Sequence, residues 1–114
     1  MKFSESLKKN RDFQHVYING RSNANRYLVM YVTDNGLEKN RLGISVSKKV
    51  GNSIVRHRLT RLIRESYRLN EELFPCGKDI VVIARAAAKG KGCREIESAL
   101  LHLGRLHRMI QINQ

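Results

Sequence analysis

RLGISVSKKVGNSIVRHRLTRLIRESYR, residues 41–68, changes its period halfway along. Residues 41–47 alternate apolar and polar side chains, the two-residue repeat of a strand. Residues 48–68 read as one long amphipathic helix. With Val55 at zero on a helical wheel and about 100° per residue, Val55, Leu59, Leu62, Ser66 and Leu69 fall within about 40° of one line, with Ile63 at its margin. That stripe is expected to lie on a sheet. His57, Arg61, Arg64 and Arg68 gather on the far side, between roughly 180° and 240°, while Arg56 and Arg58 flank the stripe.

Outward from this stretch the chain is punctuated. Residues 10–18 carry Phe13, Val16 and Tyr17 at helical spacing and end at Asn19-Gly20, a helix stop signal. Residues 27–33, YLVMYVT, are β-branched and aromatic, closed by the turn signal Asp34-Asn35-Gly36, so an antiparallel hairpin with residues 41–47 is expected. Beyond the basic helix, Phe74-Pro75-Cys76-Gly77 breaks the chain before DIVVIA, residues 79–84, a buried strand. Residues 94–109, with Ile96, Leu100, Leu101, Leu103 and Leu106, form an amphipathic closing helix. The first ten residues read as loose and the end as frayed. The order α-β-β-α-β-α predicts an α+β sandwich, and 114 residues without a repeat predict one domain, 1–114.

Charge narrows the function. Lys and Arg number 22 against 10 Asp and Glu, a formal charge of +12, the footprint of a polyanion binder. Between Arg41 and Arg68 eight basic residues face one acid, Glu65. A solvated face would mix signs at i,i+4 spacing, so the uncompensated repulsion here calls for an external anion. Residues 53–68 hold five arginines and no lysine. The planar guanidinium grips phosphate with two hydrogen bonds and stacks on bases, which suits structured RNA. Val50-Gly51-Asn52 adds an N-cap beside Lys48 and Lys49, where free amides and the positive helix end favour phosphate.

No run reaches the roughly 18 apolar residues of a membrane span, and MKFSESLKKNRDF has charges where a secretory signal has its apolar core. A soluble, cytoplasmic protein without a membrane partner is expected. Cys76 and Cys93 stand alone, as thiols of a reducing compartment, and no bound metal is expected from them.

The residues Lys48-Lys49-Val50-Gly51-Asn52, Arg56-His57-Arg58 and Arg61-Leu62-Ile63-Arg64-Glu65 resemble the signature of the protein component of bacterial ribonuclease P. DFQHVYINGR (12–21), ANRYLVMY (24–31), RLGISVSKKVGN (41–52) and DIVVIAR (79–85) extend the resemblance over nearly the whole chain. The family pattern has Asn where His57 stands and usually Lys where Thr60 stands. The resemblance implies a two-layer α/β sandwich with a central mixed sheet, of the kind named for the second domain of a ribosomal protein. It also implies a left-handed crossover around the signature helix, against the usual right-handed rule.

The same resemblance implies a protein subunit that binds the catalytic RNA and the single-stranded 5′ leader of precursor tRNA, assisting endonucleolytic release of the mature 5′ end. Mg²⁺ and bond breaking belong to the RNA subunit in that family. No cofactor held by the protein and no obligate protein partner are expected. The RNA-binding set is Lys48, Lys49, Gly51, Asn52, Arg56, His57, Arg58, Arg61, Arg64 and Arg68. The leader cleft maps onto Phe13, Tyr17 and Tyr31, with Arg11, Arg26, Lys48 and Lys49 for phosphates; aromatics so placed would stack unpaired bases.

Three rival functions compete. A protein nuclease requires clustered carboxylates or a histidine with an acid or base partner, yet the acids are scattered and His15, His57, His102 and His107 form no such set, the last two being expected at a rim. A helix-turn-helix DNA binder requires a short helix just before the basic one, where residues 41–47 read as a strand. A general RNA-binding or ribosomal protein shares the charge and is separated only by its RNA partner.

Overall fold

The computed structural model describes residues 4–111; the outermost parts of the two ends expected to be loose lie outside them. Five strands form one sheet: β1 (Ser4–Ser6), β2 (Arg21–Ala24), β3 (Leu28–Asp34), β4 (Asn40–Ser45) and β5 (Lys78–Ala84). Three helices accompany them, α1 (Asn10–Asn19), α2 (Ser53–Leu69) and α3 (Cys93–Leu106). The spatial order is β1-β4-β5-β3-β2. The fold is α+β with a mixed sheet.

The expected hairpin of residues 27–33 with 41–47 does not form. β5 lies between β3 and β4, antiparallel to the first and parallel to the second. The run Ile80, Val81, Val82 is fully buried, and a strand apolar on both faces gains most at the centre of a sheet. The turn after Asp34 therefore reverses the chain without pairing its flanks. β4 and β5, adjacent and parallel, are joined through α2, the unit for which the resemblance implies a left-handed path.

Two strands were not foreseen, SES and RSNA, both short, polar and at the sheet edges. Their side chains carry no apolar alternation, and pairing of their backbone with β4 and β3 is what holds them. The segment after β1 is not loose either, since Leu7 is buried and its N–H donates to the Leu42 carbonyl at 2.9 Å.

Alternation divides the sheet into two faces. Leu28, Met30, Val32, Leu42, Ile80, Val82 and Ala84 point to one core, closed by Leu59, Ile63 and Tyr67 of α2 and Ile96, Leu100 and Leu103 of α3. Each such aliphatic side chain contributes about 1.5–3 kcal/mol by leaving water. On the opposite face a smaller cluster, Leu7, Val16 and Val81, sits under α1. Phe13, Tyr17, Tyr31 and Ile83 surround it, only partly covered.

α3 stops at Leu106, short of the expected residue 109, because Arg108 takes a positive φ of 60° and turns the chain back, burying Met109 and Ile110. His107 is a core residue rather than a rim one, 6% exposed, with Nε2 donating to the Met30 carbonyl at 2.9 Å. Burial holds its pKa below the usual histidine value, and the bond to Met30 opposes that shift only in part. Protonation then favours the unfolded chain, so this group's contribution is present above about pH 6.5 and is lost as pH falls through its lower folded value. His107→Gln, which keeps a donor for Met30, should flatten the stability-versus-pH curve from pH 7 downward. Urea titrations at several pH values measure this; equal slopes for both proteins contradict it.

Candidate nucleic-acid interface

The cleft under α1 is built by register. Tyr31 of β3 lies opposite Val81 of β5, which lies opposite Gly43 of β4, so one row across three strands steps from a large side chain to none. Phe13 occupies the end of that row: a Cβ on residue 43 would stand 2.7 Å from its Cε1 and Cζ atoms. Phe13, Val16 and Tyr17, spaced i, i+3, i+4, all turn to the sheet. Val16 is buried as the anchor, and the two aromatics flank it half-exposed. Tyr17 meets Tyr31 edge-on with centroids 5.1 Å apart and Phe13 at 6.4 Å. Burial raises the pKa of the Tyr17 hydroxyl, and a hydrogen bond with Ser45 opposes the rise. The three aromatics predicted for a stacking surface are therefore one continuous cluster, part core and part open surface.

The ends of this cleft differ electrostatically. At one end Arg41 donates through Nε and Nη2 to the two carboxylate oxygens of Asp79, at 2.8 and 2.6 Å, and Asn35 donates to the same carboxylate at 3.0 Å. Asp79 raises the Arg41 pKa, and Asp12 and Glu5 add to its field, so this end carries its own counter-charge. At the other end, past Ser45, Lys48 and Lys49 are exposed in the turn that leads to α2. Arg11 is exposed in the first turn of α1, next to Asp12. Arg26 does not join them. Its guanidinium lies 5.7 Å from the Tyr27 ring, among residues of α3, apart from Phe13, Tyr17 and Tyr31.

α2 begins at Ser53, not at residue 48, because Lys48, Lys49 and Val50 form a turn. Asn52 caps the helix, its Oδ1 accepting the Val55 N–H at 3.0 Å. Gly51 has a packing reason as well: a Cβ there would stand 2.8 Å from Val55 Cγ1. The buried line is Leu59, Ile63, Ser66 and Tyr67, turned part of a step from the expected stripe, and Leu69 is 62% exposed. Tyr67 causes the difference. Its ring is buried and its hydroxyl bonds Ser4 Oγ at 2.8 Å and accepts from Asn40 Nδ2 at 3.3 Å, so a residue outside the expected stripe belongs to the core.

The opposite side is basic. His57, Arg58, Arg61, Arg64 and Arg68 are exposed and Arg56 is half-buried. Arg58 donates through Nη2 to the Lys91 carbonyl at 2.7 Å, and Arg68 pairs with Glu65, raising the arginine pKa and lowering the glutamate's. Thr60 bonds back to the Arg56 carbonyl at 2.9 Å, which takes its hydroxyl out of the basic surface. Arg61 and Arg64 have no carboxylate partner among the described residues, and with Arg58, Leu62 and Glu65 they line an open recess of about 520 Å³. Sequence reasoning missed Gly43, Ser45 and the Arg41–Asp79 pair. Gly43, a glycine inside a strand pattern, was the available signal, since such a residue marks close approach of another group.

Among the described residues no three His, Cys, Asp or Glu side chains group as a metal site. No helix among them is long and apolar enough to cross a membrane. A continuous five-stranded mixed sheet, an aromatic cluster half-open on one face and an arginine-faced helix joining two of its parallel strands define a class of small basic α+β protein. A profile of the Ribonuclease P family matches residues 1–107. The chain belongs to the ribonuclease P protein family, the protein subunits of the endoribonuclease that matures tRNA 5′ ends.

Among relatives, the ribonuclease P protein component of Lachnoclostridium phytofermentans is 62% identical over 97% of this chain and 96% of its own. That of Alkaliphilus metalliredigens is 54% identical over 96% and 99%. Among solved structures, the RNase P protein of Staphylococcus aureus superimposes with a TM-score of 0.85 at 40% identity, covering 93% of this chain and 97% of that one. The Thermotoga maritima protein gives 0.81 at 36%, covering 89% and 96%.

Proposed function

We propose that this chain serves its ribonucleoprotein by holding the catalytic RNA on one surface and the 5′ leader of precursor tRNA on another. The RNA surface is the exposed side of α2, with Arg56, His57, Arg58, Arg61, Arg64 and Arg68, and its entry turn, with Lys48, Lys49, Gly51 and Asn52. The leader lies in the α1 cleft, its bases against Phe13, Tyr17 and Tyr31 and its phosphates near Arg11 and Lys48. The observation that carries this reading is the joining of Phe13, Tyr17 and Tyr31 into one half-open cluster whose basic end runs into α2. Aromatic faces accept any base, so the cleft grips unpaired nucleotides with little regard to sequence.

The Mg²⁺ ions that cleavage requires are assigned to the RNA subunit, and the protein works in the cytoplasm with two RNA partners and no obligate protein partner. The test is a comparison of affinities in the presence of catalytic RNA: precursor tRNA with a leader should bind more tightly than mature tRNA, and equal affinity sinks the reading. Tyr31→Ala should lose about 1–3 kcal/mol of leader affinity while assembly with the catalytic RNA is unchanged. Unaltered leader binding in both Tyr31→Ala and Tyr17→Ala would return these rings to a purely packing role.

A further inference from the structure

At the β2 edge of the sheet, Asn25 fastens the β2–β3 turn to α3. Its Oδ1 accepts the N–H groups of Tyr27 and Leu28 at 3.2 and 3.0 Å, which identifies Nδ2 as the donor. Nδ2 gives its hydrogens to the Ala99 carbonyl at 2.9 Å and to His102 Nδ1 at 3.1 Å. His102 Nδ1 is therefore an acceptor, and the neutral ring carries its proton on Nε2, an N–H donor on an exposed side chain. Arg85 holds the turn from behind, donating to the Asn25 carbonyl at 2.8 Å.

Between this turn and α3 runs a recess of about 560 Å³, within the roughly 300–1,000 Å³ of small-ligand sites. Its floor is apolar, with Tyr27 and Ala99; its rim carries Arg26, Arg94, His102 and Arg105. Arg94 and Arg105 are eleven positions apart on the helix, which spaces them by roughly 16 Å at 1.5 Å per residue. None of the three arginines has a carboxylate in salt-bridge range among the described residues. Glu95, the acid that lines the recess, is occupied in capping α3, accepting the Gly92 N–H at 2.9 Å. The basic rim continues past the end of α3 into a neighbouring recess lined by Arg21 and Arg108.

We infer that this groove is a second RNA-binding site, taking a short unpaired run of RNA whose phosphates lie on Arg94 and Arg105 and whose base rests against Tyr27 and Ala99. The combination selects the ligand: unpaired guanidinium forks on one side of a helix match two non-adjacent phosphates of one strand, and an apolar floor with a fixed imidazole donor matches a base rather than a carboxylate side chain. It rests on the reading of the chain as a ribonucleoprotein subunit. The run belongs either to the catalytic RNA or to precursor tRNA.

The experiment uses the full-length protein with cognate catalytic RNA and precursor tRNA. Arg94→Gln/Arg105→Gln is compared with Lys39→Gln/Lys78→Gln, which removes the same net charge from residues that already pair with Glu5 and Asp34. The groove variant should lower the slope of log affinity against log salt by about one unit per lost phosphate contact relative to that control. A photoreactive aryl azide on Ser98→Cys, on the groove wall, in a protein whose exposed native thiols are removed by Cys76→Ser and Cys93→Ser, should cross-link to RNA. A cross-link with catalytic RNA alone assigns the run to that subunit; one that appears only on adding precursor tRNA assigns it to the substrate. Equal salt slopes in the two double variants, absence of an RNA cross-link, or a cross-link to protein alone overturns the site. Cleavage of precursor tRNA by the wild-type holoenzyme is scored separately: its loss sinks the subunit reading, and the salt slopes still decide the groove.

Discussion

Arg61→Gln/Arg64→Gln should bind the catalytic RNA about 100-fold more weakly at physiological salt. Charge-assisted hydrogen bonds are worth about 1.5–3 kcal/mol each, and each 1.4 kcal/mol is tenfold in affinity, so two such contacts supply a loss of that size even when they are not additive. These two side chains are the natural choice on α2, being exposed and without a carboxylate partner among the described residues. Arg58 is partly occupied by the Lys91 carbonyl and Arg68 by Glu65. Glu65→Gln should move affinity the other way, since it frees Arg68 and removes the one acid from the surface. Filter binding across a salt series measures both, and wild-type affinity in the double variant would take α2 out of the RNA interface.

Arg41→Met should lower the free energy of unfolding by about 3 kcal/mol, the low end of what removing one partner of a buried ion pair costs. Asp79 is 2% exposed and the Arg41 side chain 29%, so the arginine works from the surface inward and its loss strands a buried carboxylate. Among the described residues Asn35 then remains as its side-chain donor. The double variant Arg41→Met/Asp79→Asn should recover most of the loss, because the remaining amide costs far less to bury than a charge. Urea denaturation of the two variants and the parent tests this; an equally unstable double variant would mean that the arginine's packing, not the ion pair, is what matters.

The elements with a strong period were legible from the sequence. Each of α1, α2, α3, β3, β4 and β5 forms at the stretch whose spacing predicts it, with α2 starting five residues later and α3 ending three earlier than expected, and Asn52 caps α2 as its type predicts. What was hidden is long-range. Nothing in residues 27–47 says that a strand made more than thirty residues later will separate the two runs, because pairing partners are chosen by burial of DIVVIA and not by the turn at Asp34. β1 and β2 have no pattern to see, being polar edge strands held by backbone bonds. For the cleft, spacing brings Phe13 and Tyr17 to one side of a helix, but Tyr31 joins them only through sheet register, and there the family resemblance supplied what periodicity did not. Arg26 shows the limit of that aid: matching motif for motif placed it with the leader, whereas the Asn25 turn carries it to α3.

The position of β5 has a consequence for how the protein is made. Synthesis runs from the N-terminus, so β1 to β4 and α2 all leave the ribosome before the strand that joins them. Until then only β2 with β3 and β1 with β4 have their sheet neighbours, and a two-stranded pair is marginal by itself. Closing the sheet depends on contacts far apart in sequence, the class of event that slows folding. The nascent chain therefore carries its arginine segment before it can finish a core, and an RNA that meets it on the ribosome meets charge first and fold second.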